Sequence, residues 1–265
     1  MGTTTNISWT DHTFNPWIGC TKVSGGCTYC YAEELMDRRY HRVKWGAGQK
    51  RERTSEKNWK LPLHWDAVAR KEGKYHRVFC ASVSDWLDDE VDAHWLGDLL
   101  ELIAATPYLT WQLLTKRPEN FYARLAVVQG MSHDPDNFAA KLAKRWLDGK
   151  APPNVWVGVS AEDQKNYDLR VPRLFMIPAR TRFVSAEPLL GPILIPPGQP
   201  CVNWIIVGGE SGPHYRPCSV DWILYLVHQC RALGIAPFVK QDSGPKAGMQ
   251  GRIPDSLWVK EFPKP

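Results

Sequence analysis

Short apolar runs rich in Val, Ile, Phe and Trp recur along the chain at intervals of roughly 20 to 45 residues, and the stretches between them repeat apolar positions at helical spacing. The pattern predicts strands at Ile7 to Trp9, Val78 to Ser82, Thr110 to Thr115, Val155 to Ser160, Arg182 to Ser185, Trp204 to Val207 and Pro237 to Lys240. Helices are predicted at Tyr31 to Tyr40, Asp92 to Ala105, Pro118 to Val128, Asn137 to Leu147 and Ser219 to Leu233. Trp95, Leu99, Leu102 and Ile103 share one helical face while Asp92, Asp98 and Glu101 point elsewhere, as a packing stripe requires. Val220, Ile223, Leu224, Val227 and Leu233 form another such face, ended by Gly234 as a C′ residue.

Strands alternating with helices predict an α/β fold built on a parallel sheet, a partial or complete β/α barrel of the TIM type. A chain of 265 residues fits one such domain. Two stretches interrupt the alternation. Leu189 to Asn203, with its Gly-Pro, Pro-Pro and Gly-Gln-Pro turns, reads as a surface loop. The other is a basic insertion at about residues 38–77.

Charge sharpens that picture. Arg38 to Arg77 holds 13 Lys or Arg against 4 Asp or Glu, a local +9 on a chain whose net charge is +5, so the remainder is acidic. Arg38, Arg39, Arg42, Lys44, Lys50, Arg51, Arg53, Lys57 and Lys60 are interleaved with Tyr40, His41, Trp45 and Trp59, the mixture of cations and stacking faces that suits nucleic acid. A solvated basic surface on a soluble enzyme has the same composition, and both readings stand at this level.

No run of about 18 apolar residues exists, and Met1 to Asp11 has neither a basic n-region nor an apolar h-region, so no membrane span or secretion is expected. Seven cysteines stand at 20, 27, 30, 80, 201, 218 and 230, only the first three clustered; a disulfide framework is not expected, and a reducing, cytoplasmic setting is.

The residues just beyond each strand bear on chemistry, because β/α barrels build active sites at the C-terminal ends of their strands. Here the strands run into Ser84-Asp85, Thr115-Lys116-Arg117, Ser160-Ala161-Glu162, Ser185-Ala186-Glu187, Gly208-Gly209-Glu210-Ser211 and Lys240-Gln241-Asp242. Helix caps account for Ser, Asp or Glu at any one junction, but not for the Lys, Arg and repeated Glu of the whole set. Such clusters of polar residues therefore read as chemistry rather than packing. After the first strand come Cys20, Cys27 and Cys30 with Gly25 and Gly26 between them, a loop able to curl around a metal. Thiolates select zinc or an iron-sulfur cluster, and the spacing leaves both open; a [4Fe-4S] cluster held by three cysteines keeps one iron free for a ligand.

This loop, with Tyr29 just before its third cysteine, resembles the cluster loop of the radical S-adenosylmethionine superfamily, although six residues separate Cys20 from Cys27 where three are usual. With Asn15-Pro16-Trp17, Leu-Leu-Thr-Lys-Arg-Pro, Ser-Ala-Glu-Pro-Leu-Leu-Gly-Pro and Val-Gly-Gly-Glu-Ser-Gly, it is similar to phage and bacterial three-Cys-motif proteins of unassigned function, from about Ile7 to Gln241. Cys27-Thr28-Tyr29-Cys30-Tyr31 also resembles the cluster motif of the spore photoproduct lyases, which repair DNA.

These resemblances imply a [4Fe-4S] cluster on the three cysteines and S-adenosylmethionine held by Tyr29, Tyr31, Ser84, Asp85, Lys116 and Ser160. Asp85 would face the cofactor's ammonium and Lys116 its carboxylate. They further imply a 5′-deoxyadenosyl radical abstracting hydrogen from a substrate, with Glu162, Glu187, Glu210 and Lys240 lining the substrate side of the barrel mouth, and an external electron donor, since no second cysteine cluster is present. The lyases' hydrogen-donating cysteine corresponds here to Val83. A nucleic acid or nucleotide is the expected substrate, contacted by Arg38, Arg39, Arg42, Lys44, Arg51 and Arg53. A small metabolite or peptide as substrate, and a non-enzymatic zinc-stabilised nucleic-acid-binding module, are the competing readings.

Overall fold

The computed structural model describes residues 5–131, 134, 136–196 and 202–264, so part of the predicted loop from Leu189 to Asn203 lies outside the described residues. Its strands are β1 (His12–Phe14), β2 (Trp17–Ile18), β3 (Glu52–Arg53), β4 (His76–Cys80), β5 (Leu109–Thr115), β6 (Val155–Ser160), β7 (Thr181–Ala186), β8 (Trp204–Gly208) and β9 (Ala236–Gln241). β2 and β3 form a small antiparallel pair; the other seven form one sheet in the order β1-β4-β5-β6-β7-β8-β9, every neighbouring pair parallel. Parallel strands laid down in strict chain order by right-handed crossovers put all their helices on one face, and the sheet curls around the other. The result is the curled β/α half-barrel that the alternation predicts, with β1 and β9 as its edges.

The outer layer consists of α1 (Tyr31–Glu33), which runs on as a π-helix over Glu34–Arg39, then α2 (Glu56–Glu72), α3 (Ala93–Ala105), α4 (Phe121–Gly130), α5 (Phe138–Leu147), α6 (Gln164–Met176) and α7 (Val220–Leu233). α7 ends at Gly234 with φ 70°, the left-handed C′ residue expected there. α2 and α6 are not among the helices that the sequence pattern predicts. Each carries an interior proline, Pro62 and Pro172, which reads as a break because it removes a backbone donor. Ser55 and Asp163 nevertheless cap their first turns, accepting hydrogen bonds from the amides of Asn58 and Asn166. The crossover helix between β1 and β4 thus falls within the basic stretch. Among the described residues no helix is long and apolar enough to cross a membrane.

The first strand also lies elsewhere than predicted. Trp9 is buried, with its ring 4.6 Å from Phe79 and 6.0 Å from Trp204, so the apolar run Ile7 to Trp9 plugs the lower end of the barrel rather than forming a strand. Two-residue alternation then sorts the core. Val78, Trp111, Leu113, Val157, Val184, Ile205 and Val239 pack outward against the helices. Phe79, Trp156, Phe183, Trp204, Ile206 and Phe238 pack inside. Gly158 belongs to the inner row because a Cβ there would lie 2.4 Å from the Phe183 ring. Traced two residues at a time toward the strand ends, the inner row changes from aromatic to polar: Trp156 leads to Ser160, Phe183 to Ser185 and Glu187, and Phe238 to Lys240. The register sets Ser160 directly beside Ser185.

Candidate functional site

At that polar end lies a cavity of about 720 Å³. Its walls include Cys20, Cys27, Cys30, Tyr31, Ser84, Asp85, Lys116, Ser160, Glu187 and Lys240, so the three thiols and most of the expected cofactor contacts face one space. None of the three cysteines is in a disulfide, and each is partly exposed. Among the described residues no group of three or more His, Cys, Asp or Glu side chains is arranged to hold a metal ion, although the three thiols line one cavity.

Each wall element has an identifiable support. Asn15 Oδ1 accepts from the Val83 amide at 3.0 Å, and Trp17 Nε1 donates to the Asp85 carbonyl at 3.2 Å. The Asn-Pro-Trp segment before the cysteines thereby fixes the turn that presents Ser84 and Asp85. Ser84 Oγ is buried and has no hydrogen-bond partner among the described residues. Lys116 Nζ donates to Ser160 Oγ at 3.2 Å, joining two of the expected cofactor residues. The Tyr31 hydroxyl donates to the Ser82 carbonyl. Opposite them Lys240 Nζ pairs with Glu187 Oε1 at 3.0 Å, and Ser185 Oγ donates to Glu187 Oε2 at 3.1 Å.

Several expected roles need correction. Asp85 does not face the cavity as a free carboxylate. It accepts from the Leu87 amide at 3.0 Å, Thr115 Oγ1 at 2.7 Å, the Lys116 amide at 2.9 Å and Arg117 Nη1 at 3.1 Å, which fills its lone-pair sites. It holds Arg117 instead, and Arg117 donates from Nη1 to Cys20 Sγ at 3.4 Å and from Nη2 to the Thr21 carbonyl at 2.6 Å. Burial, reinforced by Asp85, pushes the Cys20 thiol up to about 12, while Arg117 opposes the shift. Burial also raises Cys30. Metal binding at these sulfurs therefore has to displace protons.

Glu162 and Glu210 are likewise not on the substrate side. Glu162 is fully buried, receives Ser24 Oγ at 2.5 Å and pairs with Arg170 at 2.7 Å; a Cβ on Gly26 would stand 2.2 Å from its Oε1. Glu210 receives Arg216 Nε at 2.8 Å and Nη2 at 2.6 Å, and Arg216 Nη1 reaches the Gly25 carbonyl at 2.9 Å. Both carboxylates clamp the cysteine loop to the barrel rim. Tyr29 points out of the cavity, its ring 5.9 Å from that of His214 and 5.3 Å from the Arg216 guanidinium. Sequence reasoning does not single out Arg117, Arg170, Arg216 or Ser24 as supports. Of these, only Arg117 sits in a quoted motif, and the others meet their partners through folding alone.

The basic segment divides. Arg51 is buried and bonded to Asp88 at 2.9 Å, to Thr21 and to the Gly46 and Gln49 carbonyls; it braces the loop and is not available to a phosphate. Arg53 pairs with Asp98 at 2.8 Å and covers the Trp59 ring at 3.9 Å. Arg38 pairs with Glu34, Arg42 with Glu52 and Lys44 with Asp37, all three cations exposed, and the exposed Arg39 lies 5.6 Å from the Tyr40 ring. These last four come soon after Cys30 in the chain, and Leu35, Met36 and Trp45 beside them line the cavity.

A family described as "Protein of unknown function (DUF5131)" matches residues 4–254, where the motifs point to three-Cys-motif proteins. No curated protein matches the chain. Among solved structures, a mutant spore photoproduct lyase with bound AdoMet and dinucleoside spore photoproduct is similar at a TM-score of 0.41 and 14% sequence identity, covering 68% of this chain and 46% of that one. The chain thus spans less than half the length of that protein.

Proposed function

Given that the chain belongs to the DUF5131 family, we propose that it is a radical S-adenosylmethionine enzyme acting on a nucleic acid or nucleotide. The observation that carries this reading is the single cavity shared by Cys20, Cys27 and Cys30 with Ser84, Lys116 and Ser160 at the C-terminal mouth of a parallel β/α sheet. The chemistry of the donors suits the cofactors, although the described side chains are not arranged around a metal ion. Three thiols on one glycine-containing loop suit a cluster with one open iron, and the unpartnered Ser84 hydroxyl and the Lys116 ammonium suit the amino-acid end of S-adenosylmethionine.

Held by Cys20, Cys27 and Cys30 and by Ser84, Lys116 and Ser160, a reduced [4Fe-4S] cluster and S-adenosylmethionine would supply radical hydrogen-abstraction chemistry there. The chain's own residues prepare for that. Lys116, held by Ser160, offers a cation to a carboxylate. Arg117 orients Cys20, and the Glu162 and Glu210 clamps fix the loop bearing the sulfurs. Glu187 and Lys240, paired across the inner wall, offer a polar contact to the substrate while the aromatic row beneath closes the barrel to water. Arg38, Arg39, Tyr40, Arg42 and Lys44 beside the mouth support a polyanionic substrate, with phosphates meeting cations and a base meeting the exposed Tyr40 ring.

The test is anaerobic incubation of reconstituted protein with S-adenosylmethionine and reductant, monitoring 5′-deoxyadenosine. Product is expected that disappears in Cys27→Ala and rises when a polynucleotide is added. No product under any condition would overturn the enzyme reading. Product that is indifferent to polynucleotides, together with no low-salt binding to them, would move the substrate to a small molecule or peptide.

A further inference from the structure

A second cavity, of about 760 Å³, opens at the opposite end of the barrel. It is lined by residues at the starts of four strands, Arg77 of β4, Thr110 of β5, Trp156 of β6 and Thr181 of β7, and by residues of α3 and α5. The N-terminal face of a β/α barrel ordinarily serves stability, and this cavity takes no part in the site described above. Its size falls within the span of about 300–1,000 Å³ common to small-ligand sites.

The lining is chemically one-sided. It contains no Asp or Glu, whereas Arg77, Arg145, Lys150 and Arg180 all contribute to it. Arg77 is paired with Asp11 at 3.0 Å. Among the described residues Arg145, Lys150 and Arg180 form no ion pair, although they belong to a molecule that pairs most of its other arginines. Three unneutralised cations around one opening suit an anion carrying more than one charge, and guanidinium forks match phosphate oxygens. The rest of the wall is apolar or aromatic: Leu100, Leu142, Pro152 and Pro153 with the rings of Tyr75 and Trp156. Tyr75 is 68% exposed and stacks against Tyr108 at 5.9 Å with 19° between ring planes, so its other face is free for a planar group.

We infer that this cavity is a binding site for a nucleoside monophosphate, with the phosphate held by Arg145, Lys150 and Arg180 and the base laid against the Tyr75 and Trp156 walls. The site is separate from the thiol cavity and does not depend on the reaction proposed there.

Isothermal titration of the full chain with AMP, adenosine and inorganic phosphate tests it, with Arg145→Ala/Arg180→Ala and Lys116→Ala as variants. AMP is expected to bind more tightly than either fragment. The double substitution is expected to weaken it by about tenfold or more, the scale of lost charge-assisted hydrogen bonds. Lys116→Ala, in the other cavity, is expected to leave it unchanged. Absence of AMP binding, adenosine binding as well as AMP, loss of binding on Lys116→Ala alone, or a double variant that binds like wild type would each overturn the inference. Both arginines are exposed, so the variants should keep the wild-type melting curve; were the pair to unfold, Lys150→Glu provides the same comparison. An oligonucleotide that competes with AMP and binds more tightly would replace the mononucleotide with a strand end and contradict the inference as stated.

Discussion

The Ser84 hydroxyl is buried in the cavity wall with no hydrogen-bond partner among the described residues. A buried, unpartnered hydroxyl costs on the order of 1–3 kcal/mol. Ser84→Ala should therefore raise the stability of the cofactor-free protein by about 1 kcal/mol in denaturant unfolding and weaken S-adenosylmethionine binding in equilibrium dialysis. Cys20 has a sign of its own. Burial raises its thiol from the ordinary 9.0 to about 12, so the folded state keeps a proton that the unfolded state gives up. The associated stability is complete below about pH 9 and is lost as pH rises toward 12, so the metal-free chain should melt earlier over that window and Cys20→Ala should flatten the decline. Loading of metal, which needs the thiolate, runs the other way and should strengthen as pH rises.

At the scale of elements, the cysteine loop is held from two sides: by β6 through Ser24, Glu162 and Arg170, and by β8 through Arg216 and Glu210. Gly26→Ala would drive a methyl into the Glu162 carboxylate and displace the loop, with the barrel beneath it intact. Iron incorporation should fall sharply while circular dichroism stays that of wild type. Arg170→Met breaks a pair whose side chains are 2% and 0% exposed, leaving the Glu162 carboxylate buried without its ion-pair partner and held only by Ser24. Removing one partner of a buried pair costs about 3–5 kcal/mol, which unfolding in urea will register.

These clamps also mark where the sequence stops being legible. That Ser84, Lys116 and Ser160 share one mouth is legible from strand periodicity and the cysteine loop from its spacing, while the cofactor role expected of them comes from the resemblance alone. Glu162 and Glu210 have the same strand-end signature, yet they answer to Ser24, Arg170 and Arg216, and Ser24 lies 138 residues from Glu162. Which carboxylate faces substrate and which faces protein is decided by those tertiary meetings. α2 and α6 are hidden for a local reason, a proline inside each, which packing against the sheet tolerates.

For the whole molecule, strict strand order makes the barrel two-ended. One end gathers thiols, Lys116 and the Glu187–Lys240 pair; the other gathers aromatic residues with Arg145 and Arg180, which form no ion pair among the described residues. Every strand-end cluster read from the sequence contributes a residue to the first cavity, and the basic segment reaches it at Trp45. The proposed chemistry rests on three thiols holding a cluster whose remaining iron takes a sulfonium ligand. Low-temperature electron paramagnetic resonance of the anaerobically reconstituted, reduced chain, recorded with and without S-adenosylmethionine, addresses it directly. Roughly four irons per chain and a spectrum that changes when the cofactor is added are expected. Roughly one zinc per chain with no signal, or an iron-sulfur signal indifferent to the cofactor, would contradict it.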